Sequence, residues 1–341
     1  MTLETIRHGR RVRARRRVGV VTTLAVLVLA SYAVTLMVGQ TFYSPGEVVA
    51  VILGEQVPGA SFTVGQLRLP RATLGLLSGF AFGLAGVTFQ TLLRNPLASP
   101  DVIGISAGAS AAAVFAGVTL GLGDQAMSVF ALVAALGTAT AIYLLSHKGG
   151  FAGTRLILIG IGVGAMLDSL ITYLLSRAAA WDLQSAMQWL TGSLNGATWE
   201  RTLPLLIVVL VLGPVLMAHS GAFAALHLGD DSAAALGVRT NRTRFVLILA
   251  AVGLLAFATA ASGPIAFVAF MAGPIAARLV GPGASLLLPA GLVGALLVLV
   301  ADLIGQFVFG TRYPVGVITG VLGAPYLVYL LVRTNRSGGS L

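Results

Sequence analysis

Apolar stretches of about twenty residues recur along the whole chain, separated by short polar or glycine-rich turns. A helix needs about twenty residues to cross the roughly 30 Å core of a bilayer. The pattern therefore predicts an all-α, polytopic membrane protein with one domain. Ten transmembrane helices are expected, at 18–38, 72–93, 101–120, 126–146, 155–176, 202–218, 244–261, 264–280, 284–307 and 314–332.

Two features fix the division into ten spans. Ser262-Gly263-Pro264 interrupts one long apolar run, and proline and glycine both break helices. If the N-terminus lies inside, 16 of the 21 lysine and arginine residues fall on inner segments, as cytoplasmic loops favour. We therefore expect both termini in the cytoplasm, an arginine-rich tail at 1–17, a ten-helix domain at 18–333 and a second tail at 334–341.

Composition narrows the class of protein further. The chain is 57% hydrophobic and 9% charged, and it contains no cysteine, so disulfides are excluded. A net charge of +10 would suggest nucleic acid as a partner of a soluble protein, but here the arginines follow the membrane topology, and no nucleic acid is expected. The N-terminus resembles a signal peptide, yet its apolar part is too long and lacks a cleavage site, which predicts an uncleaved first helix.

Several kinds of chemistry are absent from the sequence. The single lysine, Lys148, is not part of a P-loop, so this chain is not expected to hydrolyse ATP by that route. The four histidines lie in loops or at span ends, which disfavours a metal site. Ser106 lies in a Gly-x-Ser-x-Gly motif, but no histidine lies at its depth, and a close-packing face of small residues is the favoured interpretation.

Two carboxylates fall inside predicted spans, Asp168 and Asp302. Such residues are costly in lipid and are functional candidates. They would relay protons in a secondary transporter, or they would accept hydrogen bonds from broken backbone or pair with an arginine. With no ladder of histidine or glutamate around them, the structural role is favoured. Asp302 is expected within reach of Arg312.

The longest inner loop, 219–243, carries a short helical pattern that begins at Asp230 or Asp231. Either carboxylate is expected to cap this helix by accepting its free amides. A short, partly apolar helix at the membrane surface needs the lipid interface or a cytoplasmic partner to pack against. On the outer side, Arg68 and Arg71 either anchor a helix end at lipid head groups or meet an acidic partner, and charge alone favours anchoring.

The stretch at 65–110, which begins GQLRLPRATLGLLSGFAFG, resembles the hallmark region of FecCD-type permeases, the membrane subunits of ABC importers for ferric siderophores, haem and cobalamin. The resemblance continues through QWLTGSL at 188–194, LHLGDDSAAALGV at 226–238, SGPIAFVAFMAGPIAARLVG at 262–281, LLLPAGLVGALLVLVADLI at 286–304 and YPVGVITGVLGAPYLVYLL at 313–331. It covers nearly the whole chain after Val38.

The resemblance implies a set of partners and a set of sites. It implies two permease subunits, identical or paralogous, two separate ATP-binding subunits and an extracytoplasmic substrate-binding protein, with no cofactor. It also implies docking of the binding protein on Arg68, Arg71 and Arg312, which replaces the anchoring interpretation. The ATPase would couple through Leu228, Gly229, Asp230, Asp231, Ala233, Leu236 and Gly237, and the cytoplasmic gate would include Gly153 and Thr154.

This sequence departs from the family pattern at four places. One is the stretch from Tyr313 to Gly316, where the usual family form has Glu-Leu-Pro. Asp230 and Asp231 replace a usual pair of glutamates, Ala234 replaces a common arginine, and Gly273-Pro274 replaces a usual Pro-His or Pro-Gln. We expect the permease subunit of an ATP-driven siderophore importer in the plasma membrane, working by alternating access and not an enzyme itself. The alternative is a proton-coupled secondary transporter that uses Asp168 and Asp302, and an intramembrane hydrolase built on Ser106 is the third possibility.

Overall fold

The computed structural model describes residues 3–100, 103–146, 153–226, 228–283 and 285–336, and all regular elements in these ranges are helical. Short π-helical segments at 63–68 and 115–119 precede α4 and follow α5. The helices are α1 (Leu3–Met37), α2 (Pro45–Ile52), α3 (Ala60–Phe62), α4 (Leu69–Leu92), α5 (Ile105–Val114), α6 (Asp124–Ser146), α7 (Gly153–Ser176), α8 (Ala180–Leu190), α9 (Trp199–Ala218), α10 (Ser220–Leu226), α11 (Asp230–Ala235), α12 (Thr240–Ser262), α13 (Val268–Val280), α14 (Leu287–Phe307) and α15 (Val315–Arg336).

The helices that are long and apolar agree closely with the predicted spans. Eight helical stretches in the described residues have the length and composition to cross a membrane. Two shorter apolar stretches, Ile105–Thr119 and Val268–Val280, complete the series. Each of the ten predicted spans overlaps one of these ten stretches. The polar N-terminal segment is helical and continuous with the first apolar stretch. α1 begins at Leu3 and runs without a break into that stretch.

The predicted break at Ser262-Gly263-Pro264 is confirmed. α12 ends at Ser262, and α13 begins at Val268 rather than at 264. Gly263 has a φ of 71° and Phe267 a φ of 64°, so the chain turns through left-handed backbone twice between the two helices. This conformation is open to glycine but rare for phenylalanine.

α4 forms the axis of the bundle, and nearly all of its side chains are buried against α12, α13, α14, α1 and α9. Glycines allow this closeness: a Cβ added at Gly79 or Gly83 would collide with the backbone of α14 at Gly294 or Ala290. Small residues let helices approach until their backbones touch, and the van der Waals packing that results helps to hold helices together in lipid. We name the two ends of the bundle after α4: the Arg71 end and the Arg94 end.

α5 is a short helix that begins beside the middle of α7. Gly104, with a φ of 82°, lies in contact with Gly164, and a Cβ at Gly160 would lie 2.7 Å from the carbonyl oxygen of Ile103. A Cβ at Gly108 would collide with Thr138 of α6. The small residues around Ser106 therefore pack helices together, as the sequence predicts.

Candidate functional site

At the Arg71 end, Arg71 and Asp302 form a two-pronged ion pair between α4 and α14. The Arg71 Nη2 to Asp302 Oδ1 distance is 2.7 Å, and the Nε to Oδ2 distance is 3.0 Å. The Asp302 side chain is 3% exposed and also accepts a hydrogen bond from Gln306 at 2.7 Å. Arg71 Nη1 donates to Asn195 Oδ1 at 2.7 Å. Asp302 pairs with Arg71 and not with Arg312, the arginine that the sequence places within its reach, since Arg71 and Asp302 project from facing positions of two closely packed helices.

Arg68 holds the end of α1. Its guanidinium donates to the carbonyl oxygens of Leu36 and Met37 at 2.9 Å and to that of Thr41 at 2.7 Å. The last carbonyls of a helix have no partner within the helix, and a cation satisfies both their hydrogen bonding and the negative end of the dipole. The guanidinium also lies 5.0 Å from the centre of the Tyr43 ring. Arg68 therefore has a structural function within this chain.

The turn that follows α1 is itself well ordered by local contacts. Ser44 and Glu47 form a reciprocal capping box at the start of α2, with Glu47 Oε2 accepting from the Ser44 amide at 2.7 Å. These hydrogen bonds lower the pKa of the Glu47 carboxyl. Tyr43 donates to the Gly59 carbonyl at 2.8 Å. These contacts fix the turn whose Thr41 carbonyl oxygen accepts from Arg68.

Arg312 differs from the other two arginines. It is exposed, and no hydrogen bond or ion pair to it is formed by the described residues. All three arginines line one depression of about 550 Å³ at the Arg71 end, together with Asn195 and Gln306. Only one of the three positive charges, that of Arg71, is matched by a carboxylate. Among the described residues, the depression therefore carries more positive than negative charge, and the Arg312 guanidinium has no partner.

At the Arg94 end, Asp230 ties the short helix α11 to the rest of the bundle. One of its oxygens, Oδ1, accepts from Arg94 Nη2 at 2.7 Å and from Arg244 Nη2 at 2.5 Å. Arg94 follows α4 and has a φ of 50°, and Arg244 is a buried residue of α12. The expectation that Asp230 or Asp231 caps α11 is wrong. Gly229 is the N-cap residue and has no side chain to cap with. Asp230 and Asp231 lie in the first turn of α11, where the Asp230 carboxylate accepts from the two arginines.

One face of the segment around α11 is apolar and exposed. Leu228 and Leu236 are 65% and 66% exposed, and Asp231 between them is also exposed. Ala233 is fully buried and fixes the other face against the bundle. Gly229 and Gly237 have φ values of 104° and 84°, so the segment enters and leaves through backbone that favours glycine. The result is a short segment that exposes two leucines and a carboxylate on the side away from the bundle.

Gly153 and Thr154 begin α7 at the same end. A Cβ at Gly153 would lie 3.0 Å from Leu93 Cδ2, next to Arg94, and Thr154 is exposed. The predicted gate thus lies against the end of α4.

Asp168 lies on a different face. It is exposed on α7, in a groove of about 610 Å³ whose polar members include Ser106, Ser110 and Thr172. No side-chain hydrogen bond or ion pair joins it to another described residue. Ser106 is buried, and no histidine is among the residues that line the groove.

Four residues of these sites escaped the sequence analysis: Asn195, Gln306, Arg94 and Arg244. Gln306 follows Asp302 by one helical turn, a spacing that could have indicated the contact. Arg94 and Arg244 were counted only as cytoplasmic charge. Their shared partner is a long-range contact that spacing does not reveal.

The chain resembles known transport proteins along nearly its whole length. Residues 24–333 match the model of the FecCD transport family. An achromobactin transport system permease protein, CbrC of Dickeya dadantii, is 40% identical over 323 residues, which cover 94% of this chain and 93% of that protein. A ferric enterobactin transport system permease protein, FepG of Escherichia coli, is 41% identical over 312 residues, covering 90% and 92%.

A cobalamin import system permease protein, BtuC of Halobacterium salinarum, is 34% identical over 274 residues, covering 80% of this chain and 74% of that protein. Among solved structures, a metal-chelate type ABC transporter in an inward-facing conformation superposes with a TM-score of 0.82 at 27% identity. That superposition covers 92% of this chain and 99% of the other.

Proposed function

The chain belongs to the FecCD transport family, and from this premise we propose that it is the membrane-spanning subunit of an ATP-driven importer for ferric siderophores. It is a transport permease in the plasma (inner) membrane, where its apolar helices cross the bilayer. The siderophore cargo is proposed because two siderophore permeases are 40% and 41% identical to it, against 34% for the cobalamin permease.

In this proposal the ten apolar helical stretches all cross the membrane, and both termini are cytoplasmic. The Arg94 end then faces the cytoplasm, and the Arg71 end faces outward. The distribution of 16 inner and five outer lysine and arginine residues supports this orientation.

The observation that carries the proposal is the exposed segment around α11. Leu228, Asp231 and Leu236 form an apolar and acidic surface that nothing in the described chain covers, while Asp230 locks the same segment to α4 and α12. A surface of this kind fits a cytoplasmic protein partner, here one of two ATP-binding subunits. Movement of the partner would reach α4 directly through Arg94.

The outer depression serves as the dock for a substrate-binding protein. Arg312 is free to pair with a carboxylate of that protein, and Arg71 and Arg68 add to the positive field. The internal contacts of Arg68 and Arg71 give them a second function, since they also hold α1 and α14 in place.

A second permease subunit would cover α7. Most of α7 is exposed in the single chain, and a carboxylate such as Asp168 is costly in contact with lipid. The face that carries Asp168 is therefore proposed to meet water in a translocation pathway between the two subunits. Gly153 and Thr154, at the cytoplasmic start of the same helix, would form part of the gate.

Energy coupling provides the decisive experiment. The chain is reconstituted in liposomes with its partner permease, ATPase subunits and binding protein, and uptake of an iron-loaded siderophore is measured. We expect uptake to require ATP and a working ATPase and to continue when the proton gradient is dissipated. Uptake by the chain alone that follows an imposed pH gradient would instead establish the proton-coupled alternative through Asp168 and Asp302.

A further inference from the structure

A second groove, unrelated to the sites above, opens beside the N-terminal part of α1. It has a volume of about 590 Å³ and lies between α1 and the start of α14. It lies at the Arg94 end, where α13 ends and α14 begins. Its walls include two arginines, two valines, a serine and a leucine: Arg13, Arg17, Val18, Val21, Ser285 and Leu288.

The arginines of the groove precede its valines along α1, so its charged and apolar parts lie at different depths relative to the bilayer. Arg13, Arg17 and Val21 are spaced four residues apart on α1, so they form one stripe along its surface, with about 6 Å between neighbours. Val21 belongs to the apolar stretch predicted to enter the bilayer, and Leu288 faces the same groove from α14. The groove is therefore positive at its mouth and apolar further along the helix.

The two arginines of the groove are unmatched by the protein. Among the described residues, neither Arg13 nor Arg17 forms an ion pair, and no carboxylate lines the groove. Arg16 is different: it donates to the carbonyl oxygens of Leu279 and Arg278 at 3.1 Å and 3.2 Å and so caps the end of α13. Arg16 therefore stabilises the fold, whereas Arg13 and Arg17 line the groove.

We propose that this groove binds an anionic phospholipid, with the headgroup phosphate on Arg13 and Arg17 and an acyl chain along Val21 and Leu288. A guanidinium binds a phosphate through two parallel hydrogen bonds, and basic pockets at the cytoplasmic surface suit acidic headgroups. The apolar half of the groove selects a lipid over a free phosphate ion. The inference rests on the proposed orientation, in which this end faces the inner leaflet, and it adds a ligand that is not transported.

The test uses the purified full-length chain in detergent, incubated with an equimolar mixture of phosphatidylglycerol and phosphatidylcholine, with retained lipid measured by native mass spectrometry. The test variant is Arg13→Gln with Arg17→Gln. The control is Arg11→Gln with Arg15→Gln, which removes the same charge from the same helix on the opposite face. We expect wild type and control to prefer phosphatidylglycerol, and the test variant to lose about tenfold of that preference.

Two further arms identify the ligand and check the fold. Millimolar inorganic phosphate should leave the bound phosphatidylglycerol in place, whereas displacement would make the site an anion site and overturn the lipid assignment. Arg13→Lys with Arg17→Lys should restore most of the binding. Equal loss in test and control variants, or no preference in wild type, would also overturn the proposal. None of these readouts depends on uptake, so failure here leaves the transport function intact.

Discussion

Arg71 and Asp302 join the central helix α4 to α14 through two hydrogen-bonded contacts, with the carboxylate almost completely buried. Removing one partner of such a pair leaves a buried charge without compensation, which typically costs more than the pair contributes. Both the stability of the bundle and the shape of the outer depression therefore depend on this contact.

We predict that Asp302→Ala and Arg71→Ala each lower the free energy of unfolding by about 3 kcal/mol. Thermal unfolding of the purified chain in detergent measures this loss. Exchanging the two residues, as Arg71→Asp with Asp302→Arg, should recover part of the stability. If both single variants unfold at the wild-type temperature, the ion pair has no structural function.

Arg312→Glu should separate docking from folding. Because no described residue holds Arg312, this change should leave thermal stability unchanged while weakening the binding of the loaded binding protein by about 1–3 kcal/mol, mostly through slower association at low salt. Surface plasmon resonance on nanodisc-embedded transporter gives both rates. Arg312→Lys is the milder control, since lysine keeps the charge but not the two-pronged geometry. Unchanged association of the Glu variant would assign docking elsewhere.

Leu228→Glu with Asp231→Arg should uncouple the ATPase subunits without unfolding the chain. Both side chains point away from the bundle, so their replacement should affect only what covers them. Co-purification of the ATPase and its stimulation by loaded binding protein should both fall at least about tenfold, as expected for hot-spot residues of an interface. The matched control is Ser232→Ala on the same segment, which should assemble normally. Normal assembly of the double variant would refute the docking assignment.

Asp230→Asn tests the contact between α11 and the bundle and leaves Leu228, Asp231 and Leu236 on the exposed surface unchanged. The amide has the shape of the carboxylate and keeps an accepting oxygen, but it has no charge, so both contacts to the guanidinium groups become weaker. We expect α11 to remain on the ATPase but to move more freely relative to α4. Hydrogen exchange at 228–238 should become faster, and ATP hydrolysis should proceed with less transport per ATP. Wild-type transport per ATP would show that the force reaches the membrane helices by another route.

Asp168→Asn tests whether the exposed carboxylate takes part in energy coupling. ATP-dependent uptake should persist, because a pathway carboxylate affects cargo passage rather than the energy source. Uptake rates at several pH values provide the measurement. Loss of all ATP-driven uptake in a well-folded Asn variant would contradict this prediction and favour a proton relay.

The hydrophobic pattern predicts the helices of this fold well, and it predicts contacts poorly. The tripeptide at 262–264 indicates a break because proline and glycine act locally. The partner of Asp302 lies on α4, 231 residues earlier in the chain, and nothing in the spacing selects Arg71 over Arg312. The expected cap of α11 fails because the N-cap position falls on Gly229, which has no side chain. Asp230 lies in the first turn and pairs with two arginines that only the tertiary structure brings close.

The glycine contacts between α4 and α14 have a mechanical consequence. Because the backbones touch at Gly79 and Gly83, no side chain separates the two helices there, and neither helix can move towards the other. α4 has 24 residues and is about 36 Å long. A tilt of about 5° that begins at Asp230 would therefore displace Arg71 by about 3 Å, and it would carry α14 with it. We expect the two helices to transmit a small displacement from the Arg94 end of α4 to its Arg71 end.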